Sequence, residues 1–298
     1  IGANYIAVLL NIYIVRNLKQ FNNIAIKQFP KLIIILLFIP IIFKIISLYP
    51  NESVYFNPLI GGLKGAVEKN IPGWGNSLGS TYRQGAVWLN KNAEPNAKLA
   101  TIYELRSNIS LKDLRQDILY ANSYRSSILR KGEYVMGVTH EGTNAEGFHR
   151  KYLERFLVPV HEVIIDGVSV LKIWKNDFEH TKPAYKKLEN KITDFDIIKG
   201  ENYLRVDLKK TIPVTRVYIN YDQNNCVFPT EGYFELSFNG NIWRREGYFA
   251  VGTRTQLSEI GAFRYLFAAE RTRFVRAVIS DKESCLLKNP VEIEVYGM

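Results

Sequence analysis

A long apolar run extends from Leu32 to Tyr49. Its 18 residues contain one charged side chain, Lys44, and as a helix they would extend about 27 Å. The hydrocarbon core of a bilayer is about 30 Å thick, so the run predicts a membrane-spanning helix, kinked at Pro40. The alternative is a buried hairpin of a soluble protein. The nearly continuous Ile, Leu and Phe residues argue against it, because they would make the helix apolar on every face.

A second apolar segment, Ile1–Val15, carries no charge and is shorter than the roughly 20 residues that a spanning helix needs. The chain also begins with Ile rather than Met. We therefore expect residues 1–49 to contain two transmembrane helices, the first truncated, and the chain to be the C-terminal part of a longer protein.

The charge distribution predicts the topology. Residues 1–49 contain five Lys or Arg residues and no acid, and so supply half of the net charge of +10. Four of these cations lie between Arg16 and Lys31, which the positive-inside rule places in the cytoplasm. Residues 50–298 are then extracytoplasmic, with membrane lipid as a partner. Their small basic excess forms no long run, which argues against nucleic acid as a partner.

After the membrane segment, residues 50–178 have the pattern of a small α/β domain. The predicted helices are Ser80–Asn92, with Thr81 and Gln84 as a capping box, and Phe148–Phe156. Asp166-Gly167 predicts a hairpin turn between the predicted strands Val163–Asp166 and Val168–Trp174.

Residues 179–199 form a predicted linker, and residues 200–298 have the texture of an all-β sandwich. Six short strand-like runs follow one another there, and Asn239-Gly240 is a strong hairpin signal. The predicted strands are Tyr203–Leu208, Val214–Tyr221, Tyr233–Phe238, Phe263–Ala268, Arg273–Ser280 and Val291–Tyr296.

The two cysteines, Cys226 and Cys285, both lie in the β-rich region. Outside the cytoplasm a disulfide between them is the natural interpretation. Two buried free thiols are the alternative.

Residues 1–175 resemble the C-terminal end of prokaryotic multi-pass glycosyltransferases of the GT-C type, the group that includes protein O-mannosyltransferases. A final spanning helix, the run Tyr55-Phe56-Asn57-Pro58-Leu59-Ile60-Gly61-Gly62, Trp74-Gly75 and a helix ending in Ala86–Asn90 carry this resemblance. It singles out six motif residues: Tyr55, Asn57, Gly61, Gly62, Trp74 and Gly75. The resemblance implies transfer from a polyprenyl-phosphate sugar. The catalytic loop of that family lies near its N-terminus and is not in this chain, so no catalytic residue carries over.

Residues 200–298 resemble a discoidin-like sandwich, also called coagulation factor type C or galactose-binding-like. Tyr203–Leu208, Tyr233–Trp243, Arg273–Arg276 and Glu292–Gly297 carry the resemblance. It implies a jelly roll that binds glycans through loops at one end.

Four residues are candidate ligand contacts. Trp243, Arg244 and Arg245 could stack on and hydrogen-bond a sugar or phosphate, or could be a strand-edge aromatic with solvated cations. Asp222 could contribute an oxygen ligand, or belong to an ordinary polar turn. His140, His149 and His161 sit on separate predicted elements, so we expect surface or hydrogen-bonded histidines and no metal site. We also expect no cofactor.

Two hypotheses follow. The first is the C-terminal segment of a membrane glycosyltransferase whose soluble domains recognise a glycan or protein acceptor. The second is a non-enzymatic, membrane-anchored glycan-binding or adhesion protein.

Overall fold

The structure of the protein is a computed structural model that describes residues 12, 36, 38–75, 79–102, 110–140, 148–187, 189–220, 231–250, 262–279 and 292–298. Two units follow one another along this part of the chain. The first is a small α/β unit, and the second is a β-sandwich.

The α/β unit is built on a five-stranded sheet with the order β2-β1-β3-β5-β4. Strand β1 is parallel to β2 and β3, and β5 is antiparallel to β3 and β4. Its elements are α1 (Gly62–Glu68), α2 (Ser80–Asn92), β1 (Lys98–Thr101), β2 (Leu119–Tyr120), β3 (Tyr134–Val138), α3 (Phe148–Phe156), β4 (Pro159–Ile165) and β5 (Val168–Lys175).

Helices cover both faces of this sheet, which is why all five residues of β3 are buried. Met136 belongs to the core cluster that includes Leu89 of α2. Its neighbour Val135 belongs to a second cluster with Tyr152 of α3. Successive strand residues point to opposite faces, so a strand between two helices must be apolar throughout.

The helix predictions hold, but the predicted capping box is wrong. Helix α2 begins at Ser80, so Thr81 lies inside it, and the N-cap residue is Gly79, which has no capping side chain. The amide of Gln84 instead donates to Asn51 Oδ1 at 2.7 Å. The Gln84 side chain is therefore used to hold the segment before α1 against the helix.

Among the described residues, no helix combines the length and the apolar character that a bilayer crossing requires. Residues 38–47 are helical, with Phe43 and Ile46 exposed. The next residues join the α/β unit: Leu48 is buried in its core, and Lys44 forms an ion pair with Asp166 in the β4–β5 turn. Most of residues 1–37 lie outside the described part, so the two spans remain predictions.

The sandwich contains β6 (Asn190–Ile192), β7 (Asp196–Lys199), β8 (Tyr203–Asn220), β9 (Glu231–Ser237), β10 (Arg244–Ala250), β11 (Ala262–Ile279) and β12 (Glu292–Gly297). The strand order is β10-β9-β11-β8-β12-β6, with β7 paired to β8. The unit thus begins at β6, within the segment predicted as a linker.

Two long strands pass through both layers of the sandwich. The first part of β8 pairs with β7 and the last part of β11, and the second part of β8 pairs with β12 and the first part of β11. The strands bend where Lys209 (φ +60°) and Ala269 (φ +53°) adopt left-handed backbone conformations. Phe234 of one layer meets Tyr265 of the other, with ring centroids 4.4 Å apart.

These bends correct the predicted strand count. The described residues of the predicted runs Tyr203–Leu208 and Val214–Tyr221 both lie in β8, and those of Phe263–Ala268 and Arg273–Ser280 both lie in β11. The polar residues between the runs look like turns in the sequence because they lie at the bends.

Helix α3 of the α/β unit packs against the sandwich. Tyr152 and Phe156 share a buried cluster with Ala268 and Ala269 of β11. Arg155 donates to the backbone oxygen of Ala268 at 2.7 Å.

Candidate functional site

A row of charged side chains crosses the outward face of the sandwich. Backbone pairing places Arg245 of β10 opposite Glu235 of β9, Glu235 opposite Arg276 of β11, and Arg276 opposite Arg205 of β8. Directly opposed residues place their side chains on the same face of a sheet, about 5 Å apart. The residues that alternate with them on β8, β9 and β11 belong to the core, so this row points outward.

Trp243 stacks against this row. The guanidinium of Arg276 lies 3.9 Å from the centroid of the indole, and the Arg276 side chain also lies 5.5 Å from the Tyr203 ring. The indole Nε1–H donates to the backbone oxygen of Gly240 at 3.0 Å. These contacts fix the orientation of the indole before any ligand arrives.

A second stacked pair lies beside the first. The guanidinium of Arg245 is 3.7 Å from the centroid of the Tyr233 ring, and Arg245 is exposed. We call the combined surface the arginine–aromatic face. It consists of Tyr203, Arg205, Tyr233, Trp243, Arg245 and Arg276.

Carboxylates neutralise part of the positive charge here. Arg276 Nε donates to Glu235 at 2.5 Å. At one edge of the face, Arg273 makes two bonds to Asp207, at 2.9 and 3.1 Å, and these hold the pKa of Asp207 below its ordinary value. Paired charges of this kind make the surface rigid.

Arg205 and Arg245 differ from Arg273 and Arg276 in their ion pairing. Within the described part of the chain, neither guanidinium lies within ion-pair distance of a carboxylate. Arg205 lies 5.7 Å from the Phe274 ring, and its Nε is buried without a hydrogen-bond partner among the described residues. Among the described residues, the face therefore carries more positive than negative charge.

The hairpin between β9 and β10 presents apolar side chains next to this face. Phe238 is 62% exposed and Ile242 is 78% exposed. Asn239 Oδ1 accepts the backbone N–H groups of residues 241 and 242, and Gly240 has φ +77°. The predicted Asn-Gly turn thus holds two exposed apolar residues beside Trp243.

The three consecutive candidate contacts, Trp243, Arg244 and Arg245, do not lie on one surface. Trp243 and Arg245 belong to the arginine–aromatic face, but Arg244 points elsewhere. Its Nη2 donates to Glu246 at 2.7 Å and to Glu270 at 2.9 Å, next to helix α3. Arg244 is therefore part of the contact between the two units. Asp222, Cys226 and Cys285 lie outside the described residues.

The six motif residues of the N-terminal resemblance have packing roles. Asn57 accepts the N–H of Leu59 at 2.9 Å, and Gly61 (φ +94°) and Gly62 (φ +64°) make the turn into α1. Trp74 is buried, and a side chain at Gly75 would lie 2.5 Å from His140. Tyr55 packs against the core of the α/β unit. None of these contacts forms a reactive centre.

The histidines are dispersed. His161 stacks on Trp88, with centroids 4.9 Å apart, and His140 meets the edge of Trp74. Burial and the nearby Arg125 lower the pKa of His149 to about 4. Within the described ranges, no three His, Cys, Asp or Glu side chains are grouped closely enough to hold a metal ion.

Sequence reasoning missed Arg205, Tyr233, Glu235 and Arg276. Each lies at an alternate position of a strand between core residues. That alternation identifies outward-facing residues, but only the strand register brings them into one row. Together, the residues of the face offer N–H donors and aromatic rings, which are groups that can contact a ligand.

Comparisons with known proteins found similar chains among solved structures. No family model matches the chain, and no curated protein matches it. A C-terminal domain of a chitobiase from Bacteroides fragilis is 15% identical with a TM-score of 0.25, over 32% of this chain and 62% of that one.

Two further matches are to binding domains. CBM32-1 of a family 31 glycoside hydrolase from Clostridium perfringens is 13% identical with a TM-score of 0.24, over 37% of this chain and 94% of that one. A mutant of the lectin binding domain of lectinolysin, complexed with Lewis b, is 15% identical with a TM-score of 0.26, over 58% of this chain and 96% of that one. At these scores, the likenesses assign no function to this chain.

Proposed function

We propose that the sandwich is a discoidin-like carbohydrate-binding module and that the glycan binds on the arginine–aromatic face. The observation that carries this proposal is the pair of stacked contacts, Trp243 with Arg276 and Arg245 with Tyr233, on one outward surface.

The physical basis is the two-sided chemistry of a sugar ring. Its C–H groups pack on aromatic or apolar surfaces, and its hydroxyls accept hydrogen bonds from N–H donors. Trp243, Phe238 and Ile242 offer the first kind of surface, and Arg245 and Arg205 offer the second. Because stacking already orders the Trp243 ring, little side-chain entropy remains to be lost on binding.

The uncompensated charge of Arg205 and Arg245 favours glycans that carry a carboxylate or sulfate. Such groups form two parallel hydrogen bonds with a guanidinium, which a neutral hydroxyl does not. We therefore expect acidic oligosaccharides to bind more tightly than neutral ones of the same length.

A glycan array tests the proposal. The full chain is kept in an amine-oxide detergent, which has no sugar headgroup to compete. We expect Trp243→Ala and Arg245→Ala each to lower affinity for the best glycan at least tenfold, as is typical of aromatic and arginine anchors. Arg271→Ala is the matched control, since Arg271 is an exposed arginine on β11 away from the face.

Absence of binding to every glycan would overturn the proposal. Binding that survives both substitutions would place the site elsewhere on the protein. Circular dichroism of each variant shows whether lost binding follows from lost folding.

At a finer level, we propose that the chain is the extracytoplasmic end of a membrane glycosyltransferase that uses a polyprenyl-phosphate sugar, with the sandwich holding a glycan or protein acceptor. The resemblance of Tyr55–Gly62 and Trp74-Gly75 supports this, together with the apolar run before them.

Membranes that contain the complete protein, incubated with labelled polyprenyl-phosphate sugar, should transfer label to acceptor. Glycan binding without any donor consumption would instead favour the adhesion protein.

Alkaline phosphatase fused after Met298 should be active, because this reporter folds only outside the cytoplasm. An inactive fusion would contradict the proposed topology.

A further inference from the structure

A cavity lies between the two units, away from the arginine–aromatic face. Its volume is about 280 Å³. Arg130 and Leu129 line it from the α/β unit, Phe178 and Lys187 from the connecting segment, and Thr215 from β8. We call it the interdomain cavity. The cavity exists only when both units are in place.

Arg130 supplies the first polar group. Its backbone is left-handed (φ +47°), its Nη2 donates to the oxygen of Tyr185 at 3.0 Å, and its guanidinium lies 5.7 Å from the Phe178 ring. Its Nε is buried and has no hydrogen-bond partner among the described residues. Arg130 lines the cavity, so its guanidinium charge is what an anion in the cavity would meet.

The charge balance of the cavity is positive. Its carboxylate, Glu189, accepts from Arg216 at 3.1 Å and from the hydroxyl of Thr215. Neither Arg130 nor Lys187 lies within ion-pair distance of a carboxylate in the described part of the chain. Two cations therefore face the cavity while its acid is already paired.

The remaining wall is apolar. Phe178 and Leu129 are both 51% exposed, and Ile128 and Met298 complete this side. An aromatic ring beside two cations suits a ring-shaped ligand with an apolar face and one anionic group. At about 280 Å³, the cavity lies at the small end of ligand pockets, so it fits one sugar ring rather than a chain.

We propose that the interdomain cavity binds a monosaccharide-sized anion. Its carboxylate or phosphate bonds to the Arg130 guanidinium and Lys187 Nζ, and its ring packs against Phe178. This inference does not depend on the arginine–aromatic face, and the two sites fail independently.

Thermal unfolding of the full chain with added ligands tests the proposal. Glucuronate represents the carboxylate source and glucose 6-phosphate the phosphate source, and glucose and inorganic phosphate are the controls. We expect one of the two anionic sugars to raise the Tm in a saturable way, because a ligand of the folded state stabilises it. Glucose and inorganic phosphate should each bind at least tenfold more weakly.

Two variants locate the site. Arg130→Gln should weaken binding at least tenfold. Lys187→Glu, at an exposed position that does not threaten folding, should abolish it. Arg271→Gln and Trp243→Ala should leave binding of the anionic sugar unchanged.

No saturation by either anionic sugar up to about 10 mM would overturn the proposal. Equal binding by inorganic phosphate, or unchanged binding in Lys187→Glu, would also overturn it.

Discussion

Arg155 of α3 and Glu270 of β11 form an ion pair across the two units, with Nη1 and Oε1 2.7 Å apart. The Glu270 side chain is only 7% exposed, and Arg244 is its second partner. Glu246 joins the group through Arg244 and Lys151. We call these five residues the interdomain ion cluster. It lies beside the apolar contacts that α3 makes with β11, so charged and apolar contacts join the two units at the same place.

Removing Arg155 should destabilise the protein measurably. Arg155→Ala leaves Glu270 buried with one cation instead of two and also removes the bond to the Ala268 oxygen. We expect a loss of about 2 kcal/mol in the free energy of unfolding, because a buried charge loses a partner. Urea unfolding followed by circular dichroism measures it.

The matched control is Lys191→Ala. Its ion pair with Glu294, at 2.6 Å, lies on the surface within the sandwich. Surface pairs contribute under about 1 kcal/mol. If the two variants lose the same stability, the interdomain pair has no special role.

Glu246 should make stability depend on pH. Burial raises its pKa above the ordinary value of 4.5, with Lys151 and Arg244 acting in the opposite direction. As pH rises above 4.5, the unfolded chain releases this proton before the folded chain does, so stability falls until the raised pKa is passed. Glu246→Gln should remove that decline.

The measurement is the difference in unfolding free energy between Glu246→Gln and the native chain from about pH 4 to 8. It should grow in favour of the variant as pH rises and then level off. Glu292→Gln, at an exposed glutamate of β12, is the control. A difference that does not change with pH would show that the Glu246 pKa is not raised.

The sequence predicts local features of this fold well and long-range ones poorly. Asp166 (φ +49°) and Gly167 (φ +76°) form the predicted turn because the two residues alone determine it. The separation of Arg244 from Arg245 depends instead on a register shift between Arg245 and Gly247 and on the docking of α3. Neither of those leaves a signal in the local pattern.

Gly85 should be intolerant of a side chain although it lies in a helix. On an exposed helical surface, Gly→Ala stabilises by up to about 1 kcal/mol. Here an added Cβ would lie 2.3 Å from Met136 Sδ and 3.2 Å from Leu171 Cδ2, so the core of the α/β unit must shift.

We therefore expect Gly85→Ala to destabilise by about 1–3 kcal/mol, as overpacking does. Arg83→Ala, at an exposed position of the same helix, should stay within about 0.5 kcal/mol of the native chain. Thermal unfolding of the two variants compares them directly. A stabilised Gly85→Ala would mean that α2 does not pack closely against β3.

His149 should limit stability in acid. Burial, and secondarily Arg125, lower its pKa from 6.5 to about 4. As pH falls from 6.5 toward 4, the unfolded chain takes up a proton that the folded chain does not, so the folded state loses stability. Each pKa unit corresponds to about 1.4 kcal/mol, which sets the upper limit of the loss at about 3.5 kcal/mol. His149→Gln cannot gain this proton, so its stability should fall less between pH 6.5 and 4 than that of the native chain.

The control is Arg271→Gln, which replaces an exposed side chain and should follow the native profile of stability against pH. If His149→Gln follows it as well, His149 titrates alike in the folded and unfolded states.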